Sequence, residues 1–184
     1  SVAELLAYAR ANPGKLNAGT GNSTSQLLSA QLAALEKLDI VQVPYKGDAP
    51  LTIDLLGGRV QMAFATPGSA LPQVKEGKLR VLAAMFPNRS PLMPEVPTAA
   101  EAGLGKLSIT PWGGVFGPAR MPKEVADRLA REIARVLQRP EVREGFGKIA
   151  FDPKSSTPDE LTALLRFQME IWRRTAESVG ITPK

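Results

Sequence analysis

The chain contains neither histidine nor cysteine. Without histidine there is no base for a Ser-His-Asp triad or a His-assisted thiol nucleophile, and most zinc sites lose a customary ligand. Without cysteine, thiol and disulfide chemistry are excluded; a cysteine-free chain suits oxidising and reducing compartments alike, so this absence does not locate the protein. Only ten side chains are aromatic, too few to suggest a base-stacking platform. No apolar run approaches the ~18 residues of a membrane span, and the opening SVAELLAYAR lacks the charged and then apolar regions of an export signal.

What is present is ordinary for a folded chain: 184 residues, 43% hydrophobic and 22% charged. That length fits one domain or two small lobes. The formal charge of +5 raises nucleic acid or anionic small molecules as partners. Residues 1–110 hold ten Lys/Arg against eight Asp/Glu, and residues 111–184 hold thirteen against ten, an excess of +2 and +3. With no basic block, and with acids alternating with bases as on a solvated face, nucleic acid is set aside and a small anion kept.

Period and punctuation divide the chain. Over the first 110 residues helices alternate with short apolar strands, the α/β signature. Val2, Leu5, Leu6 and Ala9 form a helical stripe stopped by Asn12-Pro13-Gly14; the stripe begins so abruptly that an upstream segment is expected. Strands are expected at 16–19, 40–43, 60–65 and 79–86, the last as the longest apolar run and therefore central. A helix bearing Leu28, Leu32 and Leu35 follows the first strand, with Ser23 and Gln26 as its capping box. Shorter helices are expected at 50–56 and 69–76. Four prolines from Pro87 to Pro97 mark a loop, and Thr98 with Glu101 caps one helical turn. A further strand at 109–116 passes through Gly113-Gly114, the candidate crossing between lobes. Beyond it, helices start at Pro122 and at the Thr157/Glu160 capping box, separated by a weak strand at 148–151.

The sharpest chemical signal is Gly19-Thr20-Gly21-Asn22-Ser23-Thr24-Ser25 at a strand-to-helix junction. Free N–H groups at a helix start, the positive end of its dipole and hydroxyl donors together suit a phosphate or carboxylate. A phosphate-loop lysine and a GxGxxG pattern are both missing, so the cradle carries no catalytic group. The plainer alternative is that Ser23 only caps the helix and the glycines only make the turn. Tyr45, in VPYKG, ends the second strand at the edge where ligands of open α/β sheets bind, though Pro-Tyr-Lys-Gly is also good turn chemistry. Ala65 and Thr66 have the same placement after the third strand. Ser23 and Lys46 lack any legible activation as nucleophiles, Glu4 and Asp54 read as solvated charges, and Trp112 and Trp172 as core anchors. No metal-binding group stands out.

Eight strings then fall together in order: NPGKLN at 12–17, GTGNSTS at 19–25, VPYKG at 43–47, DLLGGRV at 54–60, GKLRVLA at 77–83, VPTAAEAG at 96–103, WGGVFGPA at 112–119 and ESVGI at 177–181. In these the chain resembles the solute-binding proteins of tripartite tricarboxylate transporters, the Bug family. The resemblance implies a type 2 periplasmic binding protein: α/β, two lobes of mixed sheet flanked by helices, with the first half of lobe one absent. Residues 1–110 would be lobe two and 111–184 the carboxy-terminal part of lobe one. It implies a periplasmic receptor, not an enzyme, without cofactor, that captures a small organic carboxylate and delivers it to a membrane permease. The carboxylate-holding role passes to Thr20, Asn22, Ser23 and Thr24. Relatives often carry Asp where this chain has Ala65, so a ligand without an ammonium group is expected. Histidines of relatives correspond here to Leu28 and Gln42, so no histidine contact carries over. As a fragment, the chain would expose helix faces that favour self-association as a homodimer. The alternatives are a carboxylate sensor not coupled to transport, or an enzyme on a similar scaffold.

Overall fold

The computed structural model describes residues 1–91, 93–149 and 151–181. The chain divides into two compact units, one of Ser1–Pro111 with the stretch from Arg173 onward, the other Trp112–Trp172.

The first unit is built on a parallel sheet. Helix α1 (Val2–Ala11) is opened by a Ser1/Glu4 capping box and buries Val2 and Ala9. Strand β1 (Leu16–Thr20) leads to helix α2 (Ser23–Glu36), β2 (Ile40–Pro44) to α3 (Asp48–Leu56), and β3 (Met62–Ala63) to α4 (Pro67–Lys75). The strand order is β2-β1-β3, with Leu16 paired to Ile40 and Ala18 to Met62, both parallel. Two parallel strands must be joined by a crossover, and α2 and α3 serve as those crossovers. Helix α3 lies close over β1 because Gly19 has no side chain: a Cβ there would stand 3.1 Å from Leu51 Cγ and 3.2 Å from Val60 Cγ2. Leu51 and Val60 are buried as a result.

Four expected strands differ. The third is shorter than the 60–65 run: Gln61 still pairs its N–H with the Asn17 carbonyl at 2.9 Å, but Val60 turns into the core and Pro67 starts a helix soon after. Residues 79–86 form no strand; their one backbone bridge joins Ala84 to Thr98. Leu82, Ala83 and Met85 pack on Val2, Leu32, Ala99 and Leu104, while Val81 and Phe86 pack around Leu71 and Met93. An apolar run reports burial, and burial does not require a ladder. Residues 109–116 are likewise without ladder bonds; Ile109 is buried, whereas Val115 and Phe116 are exposed. In the expected strand at 148–151, Lys148 instead closes a helix and Phe151 donates its N–H to the Phe146 carbonyl; Ala150 lies outside the described residues.

The second unit holds α5 (Lys123–Leu137), α6 (Pro140–Gly147) and most of α7 (Pro158–Ser178). Thr157 and Glu160 exchange capping bonds at 2.7 and 3.2 Å, as the sequence predicts for that start. A periodic stripe on α5 and α7 stays exposed, including Val125, Leu129, Phe167 and Met169. Trp112 and Trp172 are half-buried. The end of α7, from Arg173, belongs to the first unit. Thr175 and Ala176 are buried there, and Thr175 Oγ1 lies 2.8 Å from Ser108 Oγ, which accepts from Gln31 Nε2 at 2.8 Å.

Candidate functional site

The carboxyl ends of β1, β2 and β3 each run into a helix start, and three loops meet there. The first turn of α2 is organised by Ser25 and Asn22. Asn22 is still extended, at φ −159°, and its side chain accepts from the Ser25 N–H at 2.9 Å. The Ser25 hydroxyl accepts from the N–H groups of Gly21 and Asn22 at 3.0 and 3.1 Å and donates to the Asn22 carbonyl at 2.8 Å. The capping box is therefore Asn22/Ser25 rather than Ser23/Gln26. The helix is entered directly after Asn22, so every cap position falls one residue earlier than expected, and the Gln26 N–H simply bonds the Asn22 carbonyl at 3.0 Å.

This assignment decides which donors remain open. The N–H groups of Gly21 and Asn22 are spent on Ser25. Those of Ser23 and Thr24, at the first two helical positions, have no partner among the described residues, and neither do their hydroxyls. Thr20, at the end of β1, is only 4% exposed, and its hydroxyl is likewise without a partner among the described residues. A helix start with two open N–H groups and three hydroxyls can accept a carboxylate.

Gly21 is tied to its type by a close approach. A Cβ there would overlap Asp48 Oδ1 and stand 2.9 Å from the Gly47 carbonyl carbon and 3.0 Å from the Asp48 nitrogen. Asp48, at the first position of α3, links all three loops. Its Oδ2 accepts from Thr66 Oγ1 at 2.8 Å, from the Thr66 N–H at 3.3 Å and from Ser69 Oγ at 3.5 Å, while its Oδ1 accepts from Asn22 Nδ2 at 3.3 Å. An acid in the first turn of a helix also complements the helix dipole.

Of the residues expected to form the site, Thr20, Gly21, Asn22, Ser23, Thr24, Ala65 and Thr66 belong to this loop cluster. Gly19 instead serves the packing of α3. The Thr66 hydroxyl is committed to Asp48. Tyr45 gives its backbone N–H to the Thr20 carbonyl at 2.8 Å, but its hydroxyl donates to Asp54 Oδ2 at 2.8 Å, further along α3. Desolvation, and next that bond, raise the Tyr45 phenol above its ordinary pKa. The Arg59 guanidinium, and then Tyr45, hold the Asp54 carboxyl below its own.

Asp48 and Ser25 are the residues whose importance sequence reading missed. The signal for Asp48 was an acid directly after a helix-starting glycine; for Ser25, a hydroxyl three residues after Asn22, a residue type that caps helices. The Asp48 carboxylate reaches this loop from α3 and bonds Thr66, the neighbour of Ala65.

A groove of about 470 Å³ in the second unit is lined by Lys123, Asp127, Arg131 and the start of α7. Lys123 pairs with Asp127 at 2.6 Å, and Thr157 and Glu160 close the helix start. Among the described residues no group of three His, Cys, Asp or Glu could hold a metal ion, and no helix is long and apolar enough to cross a membrane.

A parallel sheet whose strand ends feed donor-rich helix starts is the architecture of the periplasmic binding proteins. Residues 1–181 match the family of tripartite tricarboxylate transporter receptors, and the chain belongs to that family. It is 36% identical over 177 residues to a UPF0065 protein in the tcbD-tcbE intergenic region of Pseudomonas sp. strain P51, covering 94% of this chain and 52% of that protein. It is 30% identical to Protein BugT of Bordetella pertussis, covering 98% and 56%. The chain thus spans about half the length of the curated relatives it matches. Among solved structures, R. palustris Rpa4515 with adipate superposes with a TM-score of 0.92 at 30% identity, over 100% of this chain and 62% of that one. The periplasmic binding protein BugD superposes with a TM-score of 0.87 at 25% identity, over 99% and 62%. MatC from Rhodopseudomonas palustris with bound malate gives 0.75 at 26% identity, over 96% and 61%.

Proposed function

We propose that the protein is a periplasmic solute receptor that captures a small organic carboxylate and passes it to the membrane permease of a tripartite tricarboxylate-type transporter. The observation that carries this reading is the start of α2, where the N–H groups and hydroxyls of Ser23 and Thr24, beside the Thr20 hydroxyl, stay open once Ser25 has satisfied the rest of the turn. Membership of a receptor family supports it, as do structural neighbours that hold adipate and malate. Residues 1–111 supply one wall of the binding site in this reading, and binding, without catalysis or cofactor, is the whole activity. The exposed apolar stripe on α5 and α7 favours association of two copies.

The test is to purify the full-length protein without added ligand, denature it, and identify released small molecules by mass spectrometry, with calorimetry of the acids so found. A stoichiometric organic acid whose binding is weakened by Ser23→Ala and Thr24→Ala supports the assignment. A ligand without a carboxylate, or affinity unaltered by both substitutions, refutes it.

A further inference from the structure

The two oxygens of Asp48 are unequally used. Oδ2 accepts from the Thr66 hydroxyl and N–H and lies 3.5 Å from Ser69 Oγ. Oδ1 has one long bond, 3.3 Å from Asn22 Nδ2. A carboxylate offers about four acceptor positions in all, so the unused capacity lies on Oδ1. The missing side chain of Gly21 is what lets Oδ1 approach the turn immediately before Ser23 and Thr24. A negatively charged acceptor with spare capacity therefore stands beside open anion donors.

We infer that Asp48 is a specificity determinant: it selects acids that carry a hydrogen-bond donor, hydroxyl or ammonium, on the carbon next to the bound carboxylate. This rests on the carboxylate-receptor reading of the α2 start. Binding an acid at Ser23 and Thr24 displaces water from Oδ1. A neighbouring hydroxyl or ammonium replaces the lost hydrogen bond, whereas a bare methylene leaves a charged acceptor desolvated with only its long bond from Asn22. Sites built around such a polar contact reject the analogue that lacks it more strongly than apolar pockets reject a change of size. The strap from Oδ2 to Thr66 leaves the charge and the spare capacity on Oδ1, so the preference does not depend on it.

The test is calorimetry on the full-length protein with two matched sets, succinate, malate and aspartate, and adipate and 2-aminoadipate. The substituted acids should bind about tenfold or more tightly than the unsubstituted member of their set, the value of one hydrogen bond to a charged group. Asp48→Asn should reduce the preference for the amino acids about tenfold, while Thr66→Val, which cuts the strap but keeps the charge, should preserve the order of affinities. Equal affinity for all members of a set in the unaltered protein overturns the proposal, and this arm does not depend on any variant folding. So does an Asp48→Asn protein that binds every acid proportionately more weakly, or a Thr66→Val protein that loses the preference equally, since both outcomes describe a structural strap. Failure of every acid to bind would remove the receptor reading itself, and the proposal with it, which separates the two failures.

Discussion

Replacing Ser25 and Ser23 by alanine, one at a time, should separate stability from binding. Ser25 is 1% exposed and its hydroxyl makes three bonds, accepting from two N–H groups and donating to a carbonyl. Alanine strands both N–H groups in a half-covered turn. Each costs about 1–2 kcal/mol, and alanine's better helix propensity returns about 0.5, leaving roughly 1.5–3.5 kcal/mol. For a chain of this size that lowers the melting temperature by roughly 3–14 °C. Ser23 is exposed and makes no capping bond, so its alanine variant should stay within about 0.5 kcal/mol of the parent while losing about tenfold in affinity for a carboxylate. Urea unfolding followed by circular dichroism measures the first quantity and calorimetry the second. The reasoning is refuted if Ser23→Ala destabilises as much as Ser25→Ala, because Ser23 would then be the cap, or if Ser25→Ala leaves the urea midpoint unmoved.

Gly21→Ala should cost about 1–3 kcal/mol through overpacking against Gly47 and Asp48, and should weaken carboxylate binding as the turn is pushed aside; urea midpoints and calorimetry would show both. The Glu101 carboxyl is held below its ordinary pKa of 4.5, first by the Thr98 N–H and then by Arg89. A carboxyl whose pKa is lower folded than unfolded stabilises the fold above about 4.5, and that contribution is lost as pH falls through the lowered value. Urea midpoints between pH 6 and 3 should therefore fall less steeply for Glu101→Gln than for the parent. Phe167, 62% exposed on α7, should drive self-association. Light scattering should show a smaller species for Phe167→Glu, and a parent protein that is monomeric at all concentrations would contradict this.

Local signals carried the helices and their ends. Capping pairs such as Thr157/Glu160, the turn at Asn12-Pro13-Gly14 and the apolar spacing of α2 act within a few residues, so they are legible without knowing what packs where. The eight ordered strings likewise placed the chain in its family before any contact was known. Whether an extended run becomes a strand depends on a partner distant in the chain, which is why 79–86 and 109–116 looked like strands and form no ladder. The carboxylate of Asp48 has no meaning in sequence beyond an acid at a helix start. It joins the loop cluster only because the parallel order β2-β1-β3 brings the loops holding Asn22, Asp48 and Thr66 to one edge, and because Gly21 has no side chain to keep them apart. The chain alone determined which residues can donate and, to within a residue or two, where the expected helices begin, though not α6. Tertiary structure decided which of those donors are already spent, since hydrogen bonds between loops depend on which loops meet.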